Sequence, residues 1–503
     1  MSTAIPTRPA SGWPAAFPGS PLLAAGLALA ATAAAVAFWK WPQWGLAALG
    51  FALLLGLLFR FPCHFVYLYL GIDLLPASAL KFLDESTLSG GAGHGGNVIG
   101  LAWLLSLIVF SVYTLRKQKR WWRLSWYRPS FLLISLALAG ALRAEDRGFG
   151  VRDWVHLAAP ICLSLVLYAN LSSWEQALAA IRRLCLIFAI AMAAGFYQLA
   201  SGTGSYDFVT KSYRLTGNYG DGGEVGYAVL LLYLACFAAP MALARSAPIR
   251  FVSTTVAAAS IFLLLASQAR GPLLAFLCAS GTLLCKSVVK ARYGLLLLAL
   301  ALATAQFVPR VYSRFGGPLL SAPTRFWEDD GISANATQRM ATWSMLYLEF
   351  ADRSTLLAGR GFGFSDNYLA NQLDDPHDAY AHAVHDEYLR LLIDLGFLGP
   401  VLLLAQMAAL FRAGVRLSRR ARDPLARSLG TSLCAMTVAL GVTATTSNIF
   451  GAAAQYDVFW ILAGVLLSAF RWDPAWAAAA PHLIEPHRPF ANKIAAQPQP
   501  GMP

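Results

Sequence analysis

The chain of 503 residues is 57% hydrophobic and only 13% charged, which excludes both an ordinary soluble globular protein and an intrinsically disordered one. Its net charge of +13 does not argue for a nucleic-acid partner, because the basic residues gather in short loops between apolar runs, as cytoplasmic loops of membrane proteins do. All seven cysteines lie in or beside apolar runs without CxxC spacing, so neither disulfides nor a zinc site is expected.

In chain order, residues 1–20 are rich in Pro and Ala with a single Arg8. They read as a disordered cytoplasmic tail rather than a cleaved signal peptide. Apolar runs follow at 21–39, 44–59, 61–76, 97–114, 129–142, 153–170, 184–200, 223–243, 251–267, 272–285, 293–308, 391–411, 428–446 and 456–470. The fold class expected is an all-α integral membrane protein, a polytopic bundle of about 12 to 14 transmembrane helices. The membrane domain spans 21–470, and residues 471–503 read as a second disordered cytoplasmic tail. Threading the runs alternately places Arg60, 115–128, 175–183, 244–250, 286–292 and 411–427 on one face. The opposite face receives 77–96, 143–152, 201–222, the turn near 267–271 and a long loop at 309–390. By the positive-inside rule both termini are cytoplasmic and the long loop lies outside.

The long loop exceeds a simple connector, and loops of that size usually carry function or are disordered. Its segment "TQRMATWSMLYLEFADR" (337–353) has apolar residues at mostly helical spacing and reads as an amphipathic helix near the interface. "AGRGFGFSDNYL" (358–369) reads as a Gly-rich turn. "DDPHDAYAHAVHDEYLRLL" (374–392) is acidic and contains histidines, and it leads back into an apolar run. Its carboxylates at 374–378 could meet a cation, but clustered loop acids are more often simply solvated.

Three arginines share the loop's face with His385. Arg214 stands in a Gly-rich stretch that feeds an apolar helix, Arg270 interrupts two apolar runs in "ASQARGPLLAF", and Arg339 heads the amphipathic segment. A charge at membrane depth costs about 2.5 kcal/mol or more, which marks such residues as functional candidates, although snorkelling to the interface is the competing reading. Guanidinium groups suit phosphate because their planar fork makes paired, charge-assisted hydrogen bonds. Several on one outer interface point to a lipid-linked diphosphate. His385 at the start of a helix fits a general base: the dipole favours a neutral ring there, while neighbouring Asp386 acts in the opposite direction. No P-loop or HExxH pattern accompanies these residues.

The spacing His385, Asp386, nine residues, Gly396, two residues, Gly399 resembles the motif that closes the large periplasmic loop of the O-antigen ligase and O-antigen polymerase superfamily, which also includes exopolysaccharide polymerases. "SQARG" looks like that family's mid-chain Ser-Arg-Gly turn. "YRLTGNYGD" and "TQRMATW" look like its arginine-bearing segments, so the resemblance covers roughly 180–470. It implies metal-independent, cofactor-free transfer of a glycan from an undecaprenyl-diphosphate carrier to an acceptor hydroxyl on a glycan or lipid-linked acceptor. His385 would then act as base and Arg214, Arg339 and Arg270 would hold the diphosphate, with Asp386, Gly396 and Gly399 supporting the motif. Membrane lipids and other polysaccharide-assembly proteins are the further partners it implies. The resemblance would also make the outer face periplasmic, in a bacterial inner membrane. Asp386 stands where Asn, Ser or Gln is commonest, which leans the reading toward polymerase or exopolysaccharide assembly. The competing reading is a polysaccharide flippase or transporter, which would carry ionisable pairs inside its helices or inverted repeats. Here the polar chemistry lies in outer loops.

Overall fold

The computed structural model describes residues 56, 61–73, 124–207, 212–217, 224–242, 247–267, 269–285, 343–348, 350, 352–372, 384–447, 449 and 453–479. Expected spans at 21–39, 97–114 and 293–308 lie outside the described residues, as do all of 44–59 except Gly56 and most of the long loop. The described elements are α1 (Pro62–Asp73), α2 (Arg128–Arg143), α3 (Arg147–Asn170), α4 (Trp174–Ser201), β1 (Ser205–Asp207), β2 (Ser212–Arg214), α5 (Glu224–Met241), α6 (Ala247–Ala266) and α7 (Arg270–Cys285). After a helical turn at 343–348 come α8 (Arg353–Ala358), α9 (Phe364–Gln372), α10 (Glu387–Leu395), α11 (Leu398–Arg420), α12 (Pro424–Thr443), α13 (Ala453–Trp472) and α14 (Pro474–Ala479).

The architecture is that of an all-α membrane protein. Five described helices, α3, α4, α6, α11 and α12, are long and apolar enough to cross a membrane, and Val225–Met241 is a shorter apolar helix. The strands among the described residues form one antiparallel pair, Ser205 opposite Arg214 and Asp207 opposite Ser212. Helix α12 lies against α11, α7 and α5, and α13 lies against α3. The bundle core is close-packed through small residues. A side chain at Gly414 would come within 2.7 Å of the Gly430 carbonyl oxygen, and one at Gly430 within 2.8 Å of the Gly414 oxygen. Such backbone-to-backbone approach suits a membrane, where helices associate by packing rather than by escaping water.

Several buried polar side chains inside the bundle are paired with one another, which a low-dielectric interior favours. The Tyr127 and Ser164 hydroxyls lie 2.8 Å apart. Gln406 Nε2 donates to Ser130 Oγ at 2.8 Å, and the Tyr69 hydroxyl donates to Asp457.

The two ends of the bundle differ in chemistry. At one end Arg471 donates to the carbonyls of Tyr168, at 3.0 Å, and Ala169, and the Asp473 carboxylate accepts the N–H of Asp423 at 2.9 Å. This draws together the loops near 171, 422 and 473, which alternate threading assigns to one face. The contacts also move the start of the expected C-terminal tail. Helix α13 runs on to Trp472, Asp473 caps the next turn by accepting from Ala475 N at 2.9 Å, and α14 follows, with Trp476 edge-on to Phe470.

At the other end the chain departs from the expected pattern in the long loop. The amphipathic segment is not one helix through 353: Asp352 is extended, and its carboxylate accepts from Thr355 N, starting α8 as a separate helix. The Gly-rich turn ends at Gly363 and passes directly into α9. The span expected at 391–411 is two helices, α10 and α11, parted at Gly396, whose φ of +71° stops the first.

Candidate functional site

The site is built around the start of α10. The helix begins at Glu387, not at His385. Asp386 is its N-cap, and its carboxylate accepts the backbone N–H groups of Tyr388 at 2.9 Å and Leu389 at 3.0 Å. Burial raises the Asp386 carboxyl above its ordinary value, and these two N–H groups act against that rise. His385 therefore stands one residue outside the helix, and the dipole argument for a neutral ring loses its geometry.

His385 is half-buried and adopts φ 54°, the one positive φ of a non-glycine residue among the described residues. A left-handed conformation costs an L-residue about 1–2 kcal/mol and persists where surroundings overdetermine it. On its C-terminal side Glu387 N donates to Ala444 O at 2.8 Å, fastening the start of α10 to the turn that ends α12.

That same turn also meets the chain beside Arg270. The residue after it, Gly271, lies flush against Thr446, so that a side chain there would fall within 2.6 Å of Thr446 Oγ1. Arg270 is the first residue of α7, follows a turn in which Ser267 Oγ accepts from Ala269 N at 3.4 Å, and is exposed. It stands near enough to Arg214 for the two positive charges to act on each other. Arg214 ends β2 and is half-buried. The chain just after it is gripped by Gln198 of α4, whose amide oxygen accepts from the N–H groups of Thr216 at 3.0 Å and Gly217 at 2.9 Å. The Gln198 amide nitrogen donates to Thr216 Oγ1 at 3.1 Å and Gly217 O at 3.0 Å. The structure thus puts Arg214 and Arg270 within electrostatic reach of each other, and packs Gly271, beside Arg270, and Glu387, two residues after His385, on one turn at 444–446. Arg339 and His382 lie outside the described residues.

The motif glycines have separate reasons. At Gly396 a side chain would meet the Leu357 carbonyl oxygen at 2.6 Å, and at Gly399 it would meet Leu391 O at 2.6 Å. Gly396 ends α10 and lets α8 press against it, with Phe397 N donating to Leu356 O at 2.8 Å. Gly399 lets α11 fold back on α10.

Sequence reasoning missed the largest polar assembly here. Arg390, fully buried in α10, pairs with Asp153 of α3 at 2.6 Å, Asp366 of α9 at 3.0 Å and Glu387 at 3.3 Å, with Asp394 at 3.9 Å. Burial opposes its charge, but the carboxylates of Asp366, Glu387, Asp153 and Asp394 outweigh that and hold the guanidinium protonated well beyond its ordinary range. Asp394 also accepts from Gly363 N and Ser365 N, both at 2.9 Å, at the start of α9. Burial pushes its carboxyl up to about 7 against the pull of Arg390. One guanidinium facing four carboxylates leaves an acidic excess, so a rise at one carboxyl is the direction simple electrostatics requires. This hub ties the long loop to the membrane helices through α10, the helix that follows His385. A signal was present in the sequence: Glu387, Arg390 and Asp394 are charged residues in an apolar helix, spaced to share one face.

Residues 255–404 match the model of a protein family described as O-antigen ligase. The matched stretch includes Arg270, Arg339, His385, Asp386, Gly396 and Gly399 and excludes Arg214. No curated protein matches the chain.

Proposed function

We propose, from the match of residues 255–404 to a family described as O-antigen ligase, that the chain transfers a glycan from an undecaprenyl-diphosphate carrier to an acceptor sugar hydroxyl at the periplasmic surface of the inner membrane. In this reading the acceptor hydroxyl gives its proton to the His385 imidazole. Its oxygen forms a bond to the anomeric carbon as the bond from that carbon to the diphosphate oxygen breaks. The electron pair leaves with undecaprenyl diphosphate, and displacement inverts the anomeric centre. Arg214, Arg270 and Arg339 hold the diphosphate and stabilise the charge growing on it. No metal or cofactor is required.

The observation that carries the reading is that Gly271, next to Arg270, and Glu387, two residues after His385, both pack on the turn at 444–446, with Arg214 within electrostatic reach of Arg270. Two neighbouring cations, and a histidine held in a high-energy backbone conformation, suit an anionic leaving group and a positioned base. The identity of Asp386 no longer favours polymerase over ligase. Its role is to cap α10, and Asn and Ser cap as well as Asp does.

The test is transfer by purified protein supplied with undecaprenyl-linked donor and chelator. His385→Ala should reach normal abundance, still bind donor and lose roughly a hundred- to ten-thousandfold in rate. Full activity of that variant, or wild-type activity that disappears in chelator, would overturn the reading.

A further inference from the structure

His385 holds a positive φ that its own chemistry does not favour, and the cap by Asp386 and the bond from Glu387 to Ala444 fix only the chain that follows it. The angle φ is a rotation about the bond from N to Cα, so its value is set by where the preceding peptide group lies. That group is the Val384 carbonyl with the His385 N–H. Trp343 Nε1 donates to Val384 O at 2.6 Å across 41 residues of chain. The Val384 side chain is buried in a small apolar cluster with Leu346, Phe350, Leu369 and Ile393, against which Trp343 packs. This cluster is separate from the bundle core and belongs to the long loop and α10.

We infer that Trp343 is a positioning residue for His385: its indole N–H holds the peptide plane before the histidine, as the bond from Glu387 to Ala444 holds the chain after it. The two anchors come from different parts of the molecule, one from the loop and one from the end of α12. Without the indole donor the Val384 carbonyl loses the bond that orients its peptide plane, and His385 relaxes toward negative φ, carrying its side chain away from its present place. An indole is well suited to this duty. It is a donor only, so it pairs with a carbonyl and never offers a competing acceptor, and its rings anchor the N–H in the cluster.

The inference rests on His385 being the base only for its kinetic consequence. Trp343→Phe removes the donor and keeps an aromatic ring in the cluster, whereas Leu346→Ala opens the same cluster and leaves the donor in place. In the purified full-length protein, Trp343→Phe should lower kcat by roughly tenfold to a hundredfold, the scale of a small misplacement at a reacting group, with donor KM unchanged. Leu346→Ala should keep kcat within a few-fold of wild type even if it melts earlier. A second readout needs no turnover: the rate at which diethyl pyrocarbonate modifies His385, followed peptide by peptide, should rise several-fold in Trp343→Phe and not in Leu346→Ala. If Trp343→Phe fails to accumulate, replacing Trp343 with 3-benzothienylalanine exchanges only the N–H for sulfur and carries the same expectations. Unchanged modification of His385 in the donor-free variant would overturn the inference, as would equal kcat losses in the two variants. Altered modification together with an active His385→Ala would instead retire the base and leave Trp343 as the anchor of that backbone.

Discussion

The membrane bundle and the loop cap are held by opposite means. In the bundle, α11 and α12 touch through Gly414 and Gly430 with backbone against backbone, and polar contacts such as Tyr127 with Ser164 and Gln406 with Ser130 are isolated pairs. In the cap, one buried guanidinium gathers carboxylates from α3, α9 and α10. Packing is short-ranged and indifferent to salt or pH, while a charge hub is directional and responds to both. The site lies where these two regimes meet. Arg214 and Arg270 stand on or beside bundle helices, and His385 stands just before α10, the helix that the hub secures.

The sharpest way to break this comparison is at the hub. Arg390→Met should cost about 3–5 kcal/mol, because it leaves buried carboxylates facing one another without a cation. Limited proteolysis should show new cleavage around 359–372 while the bundle core stays resistant, and bundle cleavage at the same rate would erase the distinction. A smaller effect is expected from pH. The folded Asp394 carboxyl, raised to about 7, keeps a proton that the unfolded chain releases near its ordinary value of 3.8. Its contribution to stability is therefore fully present below about pH 4 and declines as pH rises through about 7. Asp394→Asn should flatten the loss of proteolytic resistance at 359–372 across that window and leave bundle melting unchanged.

Within the bundle, Gly414→Leu should cost about 1–3 kcal/mol by overpacking, read as a lower melting temperature of the whole protein with the cap's relative resistance to protease preserved. The smallest effect separates charge from capping at the site itself. Asp386→Ala should destabilise α10 by about 1 kcal/mol, whereas Asp386→Asn should change it by only a few tenths. Hydrogen exchange at Tyr388 and Leu389 measures this directly, and equal exchange in both variants would mean that charge, not capping, is what Asp386 supplies.

The helices were legible because an apolar run of spanning length has few alternatives, and α2, α5, α12 and α13 lie within a few residues of the runs that announce them. His385, Gly396 and Gly399 were legible through spacing. What hydropathy could not show is the break at Gly396, since a running average passes over one residue whose φ is positive. Nor could it show that Asp153 and Arg390 meet, because neither local pattern names the other. The conformation of His385 was equally hidden: it arises from Trp343 and Ala444, which are distant along the chain.

The bond from Arg390 to Asp153 spans 237 positions, and this has a bearing on biogenesis. Asp153 is synthesised early and Arg390 much later, so for most of translation α3 holds an acidic side chain whose cation does not yet exist. The carboxylate waits in its neutral form or in contact with water, and the hub closes only after α10 has been made. A ribosome that stalls before α10 therefore releases a chain with a half-built ionic centre, chemically distinct from the finished protein and open to recognition by membrane proteases as incomplete.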